Sequence, residues 1–283
     1  MKRVGIICDL TFERHSQFKS YYYALQYLFN DVTIIKKKQD LPNIDLLVVG
    51  DDHFDRHKEI LQYPGFIECC NILDMPVLVL TSEKTLNSCF PWNEDNLKVL
   101  SNIKHLYHYM ADVDDCIALG TKIHRITISK RYEGVFNVEQ KKDAVVFIGR
   151  VTCPHNSYAN RKAFLEEVQT VIDVDVIEPT FKYWVDYMRT MAQYRFVLSP
   201  SGNANMFTSR FYEALCVGAI PLQQVQENTL RYHDIESKFD DCVFFKEASE
   251  VKEKMENCKL QKSYNRFWTE NHLELILNKE QLL

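Results

Sequence analysis

Glycine and proline are scarce, eight of each in 283 residues, which excludes a fibrous or disordered chain. No CxxC pair occurs among the nine cysteines. Their odd number and the adjacent Cys69–Cys70 argue against a disulfide framework, so they read as small buried hydrophobes. Positive charge is not in excess either. A formal net charge of −5 offers no electrostatic footprint for duplex nucleic acid, so no nucleic-acid partner is expected, and the basic run Lys36–Lys38 reads as a solvated strand end. No apolar run has the length of a membrane span, and that of the opening MKRVGIICDL is too brief for a signal peptide. No transmembrane anchor is therefore expected, and a cytoplasmic location is.

Several catalytic signatures are missing as well. Neither GxGxxG nor GxxxxGK[ST] is present, which counts against dinucleotide oxidoreductases and P-loop NTPases, and no GxSxG marks a hydrolase nucleophile. His53 and His57 stand at i, i+4 and His105 and His108 at i, i+3. Neither pair has an HExxH glutamate or a third ligand, so no metal site is expected.

What remains is a globular chain, 46% hydrophobic and 26% charged, long enough for two domains. Apolar runs alternate with amphipathic stretches. Strands are expected at Arg3–Cys8, Val32–Ile35, Asp45–Val49 and Pro76–Leu80, with helices at Ser16–Phe29, His57–Leu73 and Asn93–Met110 and shorter strands at Asp115–Leu119 and Arg125–Ser129. The polar stretch Tyr132–Asp143 then precedes a second series. It comprises strand Ala144–Ile148, helix Arg161–Ile172, strand Val174–Ile177, helix Tyr183–Gln193, the unit Tyr194–Leu222 and a strand near Cys242–Phe245. Helices over Ser249–Asn257 and Gln261–Leu277 close the chain. This is the rhythm of two parallel α/β domains, 1–135 and 136–283, with the last helix free to pack back on the first.

Ligands of such sheets bind beyond the carboxyl ends of the strands. In the first half those positions hold carboxylates: Asp9 after the first strand, Asp51 and Asp52 after the third. In the second half they hold Arg150, Thr180, Phe181 and the loop Ser201-Gly202-Asn203. Arg161 is expected to open a helix, and Arg210 and Glu213 lie on one side of the helix after the loop. Arginine forks and a helix N-terminus suit a diphosphate whose charge grows as a bond to carbon breaks. The structural alternatives are surface arginines with packed stems, an intrahelical Arg210–Glu213 pair, and a core position for Phe181. Gly218 and Pro221 read as punctuation after that helix.

The stretch YRFVLSPSGNANMFTSRFYEALCVGAIPL, Tyr194–Leu222, resembles the C-terminal signature of exostosin-type glycosyltransferases: a strand, a Pro-x-Gly loop, an arginine, an E-A-L helix and G-x-I-P. Val146–Arg150 followed by Arg161 is similar to a second element of that family. The first half carries no alignable motif, and without an anchor the chain resembles the free-standing microbial or viral versions. The resemblance implies a GT-B fold, two Rossmann-like domains facing across a cleft, and inverting transfer of a sugar from a UDP-sugar to a glycan hydroxyl, with no metal or other cofactor. Xylose, galactose and glucuronic acid are the implied sugars, xylose preferred. Arg161 and Arg210 would meet the diphosphate, Ser201–Asn203 would line the donor site, Glu213 would hold the ribose, and Thr180 and Phe181 would meet the base.

An inverting transfer needs a base opposite the leaving group. It is expected from the first half, at Asp9 or Asp51, either of which is also suited to cap a helix. Two other readings are carried forward. One is a nucleotide- or sugar-binding protein without catalysis. The other is a metal-dependent GT-A enzyme, for which Asp112-Val113-Asp114 and Asp173-Val174-Asp175 supply the DxD pattern.

Overall fold

A computed structural model describes residues 2–7, 16–35, 38–51, 72–81, 105–108, 122–123, 128–132, 134–151, 157–201, 208–225, 243–258 and 269–283. The chain divides into two units. One comprises Met1–Arg131 together with Phe267–Leu283, and the other is Tyr132–Arg266. The first therefore takes the chain on both sides of the second, whereas the sequence suggests a break after residue 135 and leaves the last helix free to pack back on the first half.

In the first unit the strands are β1 (Arg3–Ile7), β2 (Asp31–Ile34), β3 (Leu46–Asp51), β4 (Val77–Thr81), β5 (His105–His108) and β6 (Lys122–Ile123). They form one parallel sheet in the order β2-β1-β3-β4-β5-β6. Helix α1 (Ser16–Leu28) covers it. Val4, Ile6, Leu46, Val48, Leu78 and Leu80 are all but fully buried, as strands covered on both faces require. Residues 105–108 were expected to be the end of a helix. They are a strand because the β4 edge pairs with them, Leu78 to His105 through Thr81 to His108, and sheet pairing overrides a weak helical pattern. The expected helix at His57–Leu73, apart from its last two residues, and the expected strand Asp115–Leu119 lie outside the described residues.

The second unit repeats the plan. Strands β7 (Lys142–Ile148), β8 (Val174–Ile177), β9 (Tyr194–Ser199), β10 (Ile220–Gln224) and β11 (Val243–Phe245) form a parallel sheet in the order β11-β10-β9-β7-β8. Helices α2 (Ser157–Gln169), α3 (Trp184–Ala192), α4 (Ser209–Cys216) and α5 (Val251–Asn257) accompany it. Its core joins Val145, Phe147, Phe164, Leu165, Phe196, Leu198, Ile220, Leu222 and Phe245, with the Phe164 and Phe245 rings stacked at 5.8 Å. Pro221, read as the start of a turn or a strand edge, is the second residue of β10. It is tolerated because pairing with β11 begins only at Leu222, so no described ladder bond on that side needs its missing N–H.

In both units the strand order reverses between the first and third strands, β1 and β3 in one, β7 and β9 in the other. The last helix, α6 (Thr269–Lys279), belongs to the first unit and sends Leu273, Ile276 and Leu277 into the same core as Leu25 of α1. A buried polar node anchors its start. Glu270 accepts from the Ser129 hydroxyl at 2.6 Å and the Lys130 N–H at 2.8 Å, Ser20 accepts from the Ser129 N–H at 3.0 Å, and the Thr269 N–H reaches the Ile128 carbonyl. Among the described residues no helix is long and apolar enough to cross a membrane.

Candidate functional site

A reversal of strand order splays the connections that leave the two strands, opening a crevice beyond their carboxyl ends. In the second unit that place is the end of β7 beside the end of β9. Five elements bring the sequence-predicted residues to it.

Arg210 is the centre. Helix α4 starts after β9 and runs back along the sheet. Its far end is a Schellman turn: Gly218 takes φ +66°, its N–H meets the Leu215 carbonyl, and the Ala219 N–H meets Ala214. From its second residue Arg210 crosses the end of β7. Nε donates to the Ile148 carbonyl at 3.0 Å, and the guanidinium lies 4.8 Å over the Phe147 ring. Gly149 makes room, because a Cβ there would stand 2.6 Å from Nη2 and 3.0 Å from Phe147 Cζ. Nη1 is buried and has no hydrogen-bond acceptor among the described residues. A guanidinium fixed by one nitrogen, stacked on a ring and left with a buried donor unmatched has a hydrogen bond to offer to an anion.

Glu213, one turn on, is 7% exposed. Its Oε1 accepts from the Trp184 indole at 2.9 Å and its Oε2 from the Tyr187 hydroxyl at 2.8 Å. These donors come from α3, whose Trp184, Met188, Met191 and Ala192 are buried. Burial raises the Tyr187 phenol well above its ordinary pKa, and the Glu213 charge adds to the rise, while Arg210 draws it down. The hydroxyl therefore stays protonated and donating. Phe181 meets Tyr187 edge-on at 6.0 Å, and Tyr132 and Phe136 pack edge-on against Trp184 at 5.1 and 5.7 Å. So Arg210, Glu213 and Phe181 converge, joined by two residues the sequence reading did not assign, Trp184 and Tyr187.

Arg150 and Arg161 meet beside this cluster, the Arg161 Nη1 donating to the Arg150 carbonyl at 3.2 Å. Arg161 does not open its helix. The helix begins at Ser157, four residues earlier, which puts the arginine a full turn in. Thr180 is exposed, its N–H bound to the Glu178 carbonyl. Ser201 ties β9 to β10, its N–H donating to Gln224 Oε1 at 3.2 Å and its hydroxyl to the Gln224 carbonyl at 2.9 Å. Gly202, Asn203 and Asp9 lie outside the described residues. Asp51 closes β3, opposite Thr81, at the strand reversal of the first unit.

The second unit also has a cavity of about 710 Å³, lined in part by Asp143, Thr170, Arg195, Lys252 and Glu256. It lies at the amino ends of β7, β8 and β9, away from Arg210, and Arg195 is already paired there with Asp143 at 2.8 Å. Among the described residues no group of three or more His, Cys, Asp or Glu side chains is placed to hold a metal ion, and Asp112 and Asp114 lie outside them.

Two parallel sheets of one order, each with its reversal point, make this an α/β chain of the GT-B glycosyltransferase fold. Among solved structures it is similar to an alpha-glucosyltransferase in complex with UDP-glucose and DNA containing an abasic site, with a TM-score of 0.57 and 11% identity over 99% of this chain and 98% of that one. A lipopolysaccharide outer core galactosyltransferase, WaaB, has a TM-score of 0.53 at 8% identity, covering 98% of this chain and 99% of its own. The DNA-modifying enzyme beta-glucosyltransferase has a TM-score of 0.53 at 13% identity, over 99% of this chain and 95% of that one. No protein-family model matches the chain, and no curated relative matches it in sequence. The likeness establishes the fold, and the exostosin-type resemblance stays with the residues that carry it.

Proposed function

We propose that the protein is an inverting glycosyltransferase that moves a sugar from a UDP-sugar to a glycan hydroxyl. The observation that carries this reading is Arg210, held at the strand reversal with a buried donor unmatched. A diphosphate supplies the acceptor oxygens, and its negative charge grows as the anomeric bond breaks, so the arginine stabilises the transition state more than the ground state. Arg161 and Arg150 add positive charge on the same side. Glu213 takes the ribose hydroxyls, Phe181 and Thr180 flank the base, and Ser201, Gly202 and Asn203 line the diphosphate. The fold it shares with an enzyme solved with UDP-glucose supports the donor class.

The acceptor's proton goes to a first-unit carboxylate, Asp9 or Asp51, while the hydroxyl attacks the anomeric carbon and UDP leaves toward the arginines. Neighbours named alpha and beta share this fold, so the inverting outcome and the xylose preference rest on the sequence resemblance. One neighbour is bound to DNA, but a net charge of −5 favours a glycan as acceptor here. In this reading the arginines meet the diphosphate charge without a metal, and the enzyme works in the cytoplasm.

Incubation with UDP-xylose, UDP-galactose and UDP-glucuronic acid, with and without glycan acceptors, tests the proposal. Acceptor-dependent release of UDP, fastest from UDP-xylose, is expected. Binding of UDP without turnover on any acceptor would instead make the protein a nucleotide- or sugar-binding module.

A further inference from the structure

The parts of a UDP-sugar come in a fixed order of base, ribose, diphosphate and sugar, and the residues assigned so far serve only the first three. Those three also follow the sheet. Thr180 and Phe181 stand just after β8, and Arg210 reaches the carboxyl end of β7, the strand beside it. The loop that holds Ser201 leaves β9, the next strand in the order. Continued along the same edge, the sugar comes to the end of β10, two strands and roughly 9–10 Å beyond β7.

That strand ends in Gln224. Ile220–Gln223 are buried, and Gln224 is where the strand emerges. Its backbone is held twice, the carbonyl accepting from the Ser201 hydroxyl at 2.9 Å and from the Gln223 amide nitrogen at 2.6 Å. Its side chain is held once, Oε1 accepting from the Ser201 N–H at 3.2 Å. An N–H needs an oxygen to donate to, so this bond decides which end of the Gln224 amide faces the loop. The other end, Nε2, has no acceptor among the described residues. One residue back, Gln223 is fully buried and its Oε1 has no donor among them either. Polar atoms of both senses are thus left over at this strand end, whereas Arg210 leaves only a donor. A phosphate answers a donor alone, and a hydroxyl both gives and takes.

We infer that Gln224 is a specificity-determining residue that recognises the transferred sugar, donating through Nε2 to the oxygen of a ring hydroxyl. The inference rests on the donor-site reading of the second unit. Ser201 gives it its precision, because the loop that lines the diphosphate also orients the amide that meets the sugar.

The test is titration calorimetry on the full chain without acceptor, comparing UDP with UDP-xylose. Gln224→Met keeps the length of the side chain and removes the amide. It should weaken UDP-xylose about fivefold to tenfold and UDP no more than about twofold, as the loss of a contact made only to the sugar requires. Gln224→Asn draws the amide back by one methylene and should show the same split. A residue that merely braces the Ser201 loop would move both ligands by the same factor, so the ratio of the two affinities is the decisive reading. A wild-type chain that does not bind UDP overturns the donor-site reading and this inference with it. Wild-type binding of UDP with an unchanged ratio in both variants overturns the inference alone, and so does loss of both ligands together, whether through the loop or through the fold.

Discussion

Arg210 is held through its side chain by a backbone carbonyl, by an aromatic face and by the absence of a side chain on Gly149. Truncating it to alanine removes a charge-assisted contact and should weaken UDP binding by about 1.5–3 kcal/mol, read as a rise in dissociation constant of roughly tenfold or more in a folded variant. Gly149→Ala makes a subtler case. Its Cβ would stand 2.6 Å from Nη2 and 3.0 Å from the buried Phe147 ring, so the arginine swings out of place and the ring beneath it must shift. The variant should lose UDP affinity as Arg210→Ala does while remaining folded. A large fall in melting temperature with unchanged affinity would contradict the role given to this glycine. That Arg210 and Glu213 share one side of a helix was readable, because they stand three residues apart in one short helical stretch. Trp184 and Tyr187 were not, because their bonds to Glu213 span 29 and 26 residues, and a helix carrying Trp and Met reads as core until its partner is seen.

At the scale of the element, two polar anchors set where helices begin and end. Glu270 is 3% exposed and satisfies both the Ser129 hydroxyl and the Lys130 N–H. Glu270→Ala leaves those donors unmatched and should cost about 1.5–3 kcal/mol in urea unfolding. Lys141 donates to the Ala192 and Val217 carbonyls, at the C-terminal ends of α3 and α4, and burial pulls its pKa down to about 8 from 10.5. Between those values the unfolded chain holds a proton that the folded chain has released, so this residue's contribution to stability rises with pH across that window. The stability of wild type relative to Lys141→Met should therefore climb from pH 8 towards 10.5 and stay level from pH 6 to 7. A difference that does not change with pH would contradict it. Most strands were visible as apolar runs, since strands buried on both faces show little else. The strand at His105–His108 was hidden, because its identity comes from the neighbour it pairs with.

At the scale of the whole molecule, the two sheets share one strand order and differ in what stands at the reversal. The second unit places arginine there, and the first places Asp51 at the end of β3. Asp9→Asn and Asp51→Asn should separate binding from chemistry. One of them is expected to lower turnover by about 10²–10⁴-fold while UDP affinity is kept, as for a general base. Near-normal turnover in both would move the base elsewhere. EDTA is expected to leave turnover unchanged.

The first unit draws its core from both ends of the chain, with Leu273, Ile276 and Leu277 packed among residues of β1 and α1. The second unit is one uninterrupted passage. On the ribosome, then, the half that comes first in sequence is the last to be completed. The second unit can close as soon as its residues emerge, while the strands of the first wait for a helix made after the second unit is complete.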